Sequence, residues 1–196
     1  MLVMAIGDVI GKPGRQAVKK LLPGLRKQYE LDLVIANAEN AAGGLGLTLN
    51  TARELLDSGV DILTSGNHIW DQKEIIPHLD EDMPILRPIN YPPCVPGRGC
   101  LAVDHIAVVS LIGRTFVGNY DCPFRAMDQL LNSLKKSYSV IIVDFHAEAT
   151  SEKIAIGRYL DGKVSAVVGT HTHVGTVDAK VFPLSLIHIS EPTRPY

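Results

Sequence analysis

Leu31-Asp-Leu-Val-Ile-Ala-Asn37-Ala-Glu39-Asn40 is an apolar run that stops abruptly on polar residues. Its length and branched side chains read as a buried strand over Leu31–Asn37. Asn37, Glu39 and Asn40 then sit at the carboxyl end of that strand. The same pattern recurs along the chain. Leu2–Ile6 runs into Gly7-Asp8, Val60–Ser65 into Gly66-Asn67-His68, Ser139–Phe145 into His146, and Val164–Gly169 into Thr170-His171-Thr172-His173. Helical spacing lies between them, over Gln16–Gln28 with Pro13 in a first turn, from a Thr48 cap to Asp57, and over Gln72–Leu79, Phe124–Lys136 and Ser151–Leu160. Strands alternating with helices predict an α/β fold with parallel strands. Met83–Gly99, with five prolines, predicts a loop with at most one short strand, and Cys100–Asp104 with Ile106–Ile112 an antiparallel pair. No repeat or linker divides the chain.

In open α/β sheets, ligands bind outside the carboxyl ends of the strands. Five strand ends are therefore expected to bring Asp8, Glu39, Asn40, Asn67, His146, His171 and His173 to one edge of the sheet. Each residue has an ordinary alternative: Asp8 as a helix cap, Asn67 as a turn residue, His68 as a surface or core histidine. Their joint occurrence favours a site. Bare carboxylates that close would repel, and one would take up a proton. Divalent cations resolve the conflict. The donors are oxygen and nitrogen without thiolate, which suits Mn, Fe or Zn. Seven ligands exceed one tetrahedral ion and suit two ions, with Glu39 as the bridge. His171-x-His173, read as extended, would place both rings on one face. Asp144 and Glu148 are weaker candidates, while His78 and His105 fall outside the pattern. Gly7–Lys12 has the wrong spacing for a P-loop, and Gly43-Gly44-Leu45-Gly46 reads as a flexible loop over the site.

Charge and composition narrow the partners. The formal net charge is −2, so no basic face speaks for duplex DNA. A small anionic substrate would need a local positive centre. Three cysteines with no CxxC spacing argue for a reducing compartment and against a zinc knuckle. No apolar run is long enough to span a bilayer, and Met1–Ile6 lacks the basic start of a signal peptide. A cytoplasmic protein is expected, and a homo-oligomer stays open.

At these residues the chain resembles the calcineurin-like metallophosphoesterases. Gly66-Asn67-His68 matches their Gly-Asn-His motif and His171-Thr-His173 their closing pair. Two departures stand out: Ile10 where a histidine ligand is usual, and Glu39-Asn40 in place of an aspartate. Both are shared with the bacterial 2′,3′-cyclic-nucleotide 2′-phosphodiesterase-like branch, which GDVIGKPGR, NAENAAGG, GNHIWD, NYPP, DCPF, DFHAEATSEK and VVGTHTHV also resemble. The resemblance implies a four-layer α/β-β/α sandwich, incomplete at the C-terminus. It implies one metal held by Asp8, Glu39, Asn40 and His173, and another by Glu39, Asn67, His146 and His171, with Fe or Mn ahead of Zn. His68 would be the catalytic acid. The implied activity is hydrolysis of cyclic nucleotides, or another small phosphodiester, by a metal-bridged hydroxide. A phosphomonoesterase and a non-catalytic regulator that binds a cyclic nucleotide or RNA are the alternatives.

Leu184-Ser-Leu-Ile-His-Ile-Ser-Glu-Pro-Thr-Arg194 looks instead like the conceptual translation of a sequencing-library adapter. Residues 1–183 are accordingly read as a truncated metallophosphoesterase domain and 184–196 as a non-native tail, in which His188 carries no role.

Overall fold

A computed structural model describes residues 1–191. Its strands form two sheets. The first comprises β1 (Val3–Ile6), β2 (Leu33–Asn37) and β3 (Ile62–Thr64), all parallel. Between them lie α1 (Gly11–Tyr29) and α2 (Leu49–Asp57). Thr48 caps α2 by accepting from the Thr51 N–H, and the Thr51 hydroxyl returns the bond to the Thr48 N–H. This reciprocal cap explains why the helix starts there. The N–H groups of Gly11 and Gly44 both donate to the Asn40 carbonyl, which pins the loop after β2 to the start of α1.

The second sheet has the order β4-β5-β6-β7-β9-β8. β4 (Cys100–Val103) and β5 (Ile106–Ile112) form the expected antiparallel pair. Next come α3 (Pro123–Ser137), β6 (Val140–His146), α4 (Thr150–Leu160) and β7 (Ala166–Thr170). β8 (Lys180–Val181) and β9 (Ile187–Ile189) complete the sheet. β5, β6, β7 and β9 run parallel.

Four layers follow from where the apolar side chains point. Val34 and Ala36 face α1 and α2, joining Val18, Leu22 and Leu55 in one core. Leu33 and Ile35 alternate to the other face and meet Ile106, Val108 and Ile142 between the two sheets. The far face of the second sheet packs Val109, Val143 and Phe145 against Met127, Leu131 and Ile156 of α3 and α4. β2 is buried on both faces, which is why its sequence reads as continuously apolar.

The strand ends do not lie along one edge of one sheet, as the sequence suggested; they come from two sheets packed face to face. The proline-rich segment makes the change. Leu86 donates to the Leu63 carbonyl and Arg87 to the Arg98 carbonyl, leading the chain off β3 and on toward β4. Prolines at 84, 88, 92, 93 and 96 lack the N–H needed to continue a ladder. The 72–79 helix is a 3₁₀ helix, Lys73–Asp80, with Pro77 inside it.

Of residues 184–191, Ile187–Ile189 lies within the second sheet as β9. β9 pairs with β7, and His188 is buried with Nε2 3.1 Å from the Lys153 carbonyl. Among the described residues, the two buried side-chain atoms without a hydrogen-bond partner both fall here, His188 Nδ1 and Ser190 Oγ. Val181, Leu184 and Ile187 stand exposed beside them. Arg194 and the rest of 192–196 lie outside the described residues. Among those described, no helix is long and apolar enough to cross a membrane.

Candidate metal centre

The carboxyl ends of β1, β2, β3, β6 and β7 meet at the seam between the sheets. Glu39 is at the middle and fully buried. Its Oε1 lies 3.0 Å from His146 Nε2 and 3.1 Å from Asn40 Nδ2, while Oε2 accepts from the His68 N–H at 3.1 Å. Around it the side chains fall into two groups.

In the first group, His146 Nε2 faces Glu39 Oε1, Asn67 Oδ1 at 3.1 Å and His171 Nδ1 at 2.9 Å. Ligand atoms of Glu39, His146 and His171 all lie within 4.8 Å of one another. Three acceptor atoms crowd a single imidazole nitrogen, which can supply only one proton. A cation accepted by all four atoms answers that excess. Glu148 Oε2 lies 3.0 Å from His171 Nε2, on the side of the ring away from the Nδ1 that faces His146. A carboxylate behind a ligating imidazole is the usual means of fixing its tautomer.

In the second group, Asp8 Oδ1 lies 3.3 Å from His173 Nε2 and 3.2 Å from Asn40 Nδ2, and His173 Nε2 lies 3.2 Å from that same Asn40 nitrogen. Asp8 Oδ2 accepts from the His171 N–H at 2.9 Å. Asn40 turns its amide nitrogen inward, so ligation through Oδ1 requires a flip of the amide. His171 and His173 are not in an extended stretch. Both have positive φ, 105° and 58°, just past the end of β7. The backbone turns between them and sends one ring to each group, rather than both to one face. Conformations this sparsely populated persist only where surroundings hold them, and they concentrate at functional sites.

Electrostatics bind the cluster together. Burial pushes the Asp8 carboxyl up, but the His173 hydrogen bond and the nearby His146 bring it down to about 2. Burial likewise opposes ionisation of Glu39, and the charge and hydrogen bond of His146 outweigh it, lowering its pKa. His146 is raised in turn: burial lowers it, but Glu39, Asp8 and Asp144 prevail.

His68 lies at the rim, its side chain 31% exposed. Its Nδ1 is 2.7 Å from Asp71 Oδ2, which leaves Nε2 outward. Asp71 was not singled out in the sequence, although a 3₁₀ turn over Asn67–Trp70 brings residues three apart together. Asp144, a weaker candidate from sequence, is buried below the centre and accepts from Thr64 and Thr170. Burial raises its pKa to about 6 against those hydroxyls. His78 pairs with Glu81 at the surface, well away from the cluster in sequence and contacts. Gly43, Gly44 and Gly46 take positive φ, as their loop reading required, with the Ala42 N–H bonded to the Gly46 carbonyl.

Gly66 lets the backbone come this close. A Cβ there would collide with the His146 ring and the Glu39 carboxylate, both held by packing. Gly66→Ala is expected to weaken Mn²⁺ binding by at least about 10-fold. Isothermal titration checks it; parental affinity would mean the two ligands can move aside.

The YmdB-like protein family model matches residues 4–191. A 2′,3′-cyclic-nucleotide 2′-phosphodiesterase of Bacillus subtilis is 46% identical over 202 aligned residues, covering 100% of this chain and 76% of that protein. A hypothetical protein of Thermus thermophilus, known from its crystal structure, superposes with a TM-score of 0.91 at 47% identity, over 97% of this chain and 75% of that one. A novel phosphatase from Mycoplasma pneumoniae superposes with a TM-score of 0.88 at 35% identity, over 96% and 70%.

Proposed function

The chain belongs to the YmdB-like family, a family of hydrolytic phosphoesterases, and we propose that it hydrolyses small phosphodiesters, 2′,3′-cyclic nucleotides foremost, at a centre of two divalent cations. The observation that carries this reading is the pair of ligand groups sharing Glu39. Glu39, Asn67, His146 and His171 would hold one ion; Asp8, Glu39, Asn40 and His173 would hold the other, with Fe or Mn preferred over Zn. The fit rests on donor chemistry: four lone-pair atoms converge at one point, and oppositely charged groups are buried together without enough protons to go round. When bound, such ions supply a positive centre for the phosphate oxygens and lower the pKa of water toward about 7.

The protein's own residues do the rest. Glu39 and Asp8 offset the charge of the cations. Gly66 lets the end of the first sheet approach His146 of β6, and the bonds to the Asn40 carbonyl hold the loop after β2 against the start of α1. His68, with Nδ1 beside Asp71 and Nε2 outward, would give a proton to the departing ribose oxygen.

The experiment compares bis(p-nitrophenyl) phosphate with p-nitrophenyl phosphate in the presence of Mn²⁺, followed by 2′,3′-cyclic AMP. Faster turnover of the diester and opening of the cyclic nucleotide are expected. Preference for the monoester would make the protein a phosphomonoesterase. Absence of metal-dependent turnover of all three would leave the non-catalytic, nucleotide-binding reading.

A further inference from the structure

The start of α1 and the loop after β2 are joined by three bonds in a row. The Val9 N–H donates to the Asn37 carbonyl at 2.8 Å, and the Gly11 N–H to the Asn40 carbonyl at 2.8 Å. The third comes from a side chain: Arg15 Nη1 donates to the Ala41 carbonyl at 2.5 Å. Arg15 Nε turns the other way and lies 2.6 Å from Glu54 Oε2 on α2. The Arg15 side chain is only 15% exposed, so these two bonds are little shared with water. A tie between two helices would need the Glu54 contact alone. The bond to Ala41 does something else, because Ala41 directly follows Asn40 and is fully buried. The Asn40 carbonyl is held by Gly11 and Gly44, the Ala41 N–H by the Ala38 carbonyl, and the Ala41 carbonyl by Gly43 and Arg15. Of these bonds, the one from Arg15 is made by a side chain and can be removed by substitution.

We infer that Arg15 is a positioning residue that holds Asn40 beside Asp8, and so sets the affinity of the proposed cation site of Asp8, Asn40 and His173 while leaving the other site alone. Asn40 Nδ2 lies 3.2 Å from Asp8 Oδ1. Asp8 stands three residues before α1, the helix that carries Arg15. A bond from α1 to Ala41 therefore fixes these two donors relative to each other. Asn67, His146 and His171 stand at the ends of β3, β6 and β7, and the Arg15 bonds reach none of those segments. Glu39, common to both groups, keeps its own restraints: its carboxylate accepts from the His68 N–H, and its N–H donates to Asn37 Oδ1. Arginine suits the task because its planar fork serves a carboxylate and a carbonyl in fixed directions, which a lysine ammonium does not. Glu54 offsets the guanidinium charge, so the clamp does not repel the cation it serves.

This inference rests on the metal centre proposed above, and its test separates the two. Mn²⁺ binding is titrated for the parent, Arg15→Met and Arg15→Lys, with paramagnetic resonance reporting whether the bound ions are paired or isolated. Methionine keeps an unbranched stem and loses both donors. In Arg15→Met one site is expected at parental affinity and the other weakened by about 10–100-fold. At the Mn²⁺ concentration that pairs ions in the parent, the signal of a coupled pair should give way to that of an isolated ion. Lysine keeps the charge but cannot serve both acceptors, and should fall between. Two parental affinities in Arg15→Met would overturn the inference. So would equal weakening of both sites, which a general loosening of the fold would produce. Hydrogen exchange of the metal-free proteins gives a second readout. The amides of Ala42, Gly43 and Gly44 should exchange faster in the variants than in the parent, with those of β6 unchanged. Parental exchange in this loop would also overturn the inference. If Arg15→Met fails to fold, Arg15→Lys carries both measurements on the same criteria. If the parent binds fewer than two ions, the centre as proposed fails, and exchange alone decides whether Arg15 holds the loop.

Discussion

Glu39→Gln is expected to strip the protein of both cations and of activity together. Glutamine has the same shape but brings two hydrogens and no charge. It would sit at the point where Glu39 Oε1 now faces His146 Nε2 and Asn40 Nδ2, at 3.0 and 3.1 Å. In the proposed centre both ions would share this carboxylate, so neither would keep its full set. Burial sharpens the effect: with Glu39 fully shielded from solvent, no water replaces the missing charge. Removing one member of a buried charged pair typically costs about 3–5 kcal/mol, because the partner is left uncompensated. The checks are metal-to-protein ratio by plasma mass spectrometry and turnover of the nitrophenyl diester. A variant that retains both ions would show that Glu39 is not shared between them.

His68→Ala should behave in the opposite way, keeping metal and losing rate. His68 contacts the centre through its backbone N–H, which donates to Glu39 and survives the substitution. Its ring faces outward, held by Asp71 at 2.7 Å. A fall in kcat of about 10²–10⁴ is expected with a cyclic nucleotide, the usual range for a positioned general acid. The loss should be smaller with bis(p-nitrophenyl) phosphate, whose leaving group departs readily as an anion and has little use for a proton. An equal loss on both substrates would give His68 a role other than proton donation. Unchanged turnover on both would remove it from the chemistry.

Much of this site can be read from the sequence because its parts are local. An apolar run ending on Asn37-Ala38-Glu39-Asn40 or on Asn67-His68 announces both a strand and its cargo, and parallel strands all end at the same rim. The strand and helix order followed for the same reason. What the residues alone did not reveal was the division into two sheets. Alternation along β2 is hidden when both of its faces are buried, so nothing in Leu33–Asn37 says what covers each side. The turn at His171 and His173 was missed because positive φ at non-glycine residues is imposed by contacts from elsewhere, here the Asp8 carboxylate on the His171 N–H. Asp71 and Thr170 escaped, and Glu148 looked weak, because each lies beside an imidazole rather than at the point where the ligand atoms converge. A threonine lying between strand and histidines carries little signal until the hydroxyl is seen to have a carboxylate behind it.

The anchoring of Asp144 by hydroxyl and amide donors from both halves of the molecule carries one more consequence. Sliding one half against the other would break these bonds before it disturbed Leu33, Ile35 or Val108, whose oily contacts tolerate small shifts. The interior where the halves meet is therefore also a gauge of ligand spacing. Volume changes at Ile35 or Ile142, far from any reacting atom, should register first as altered cation affinity and only later as altered melting.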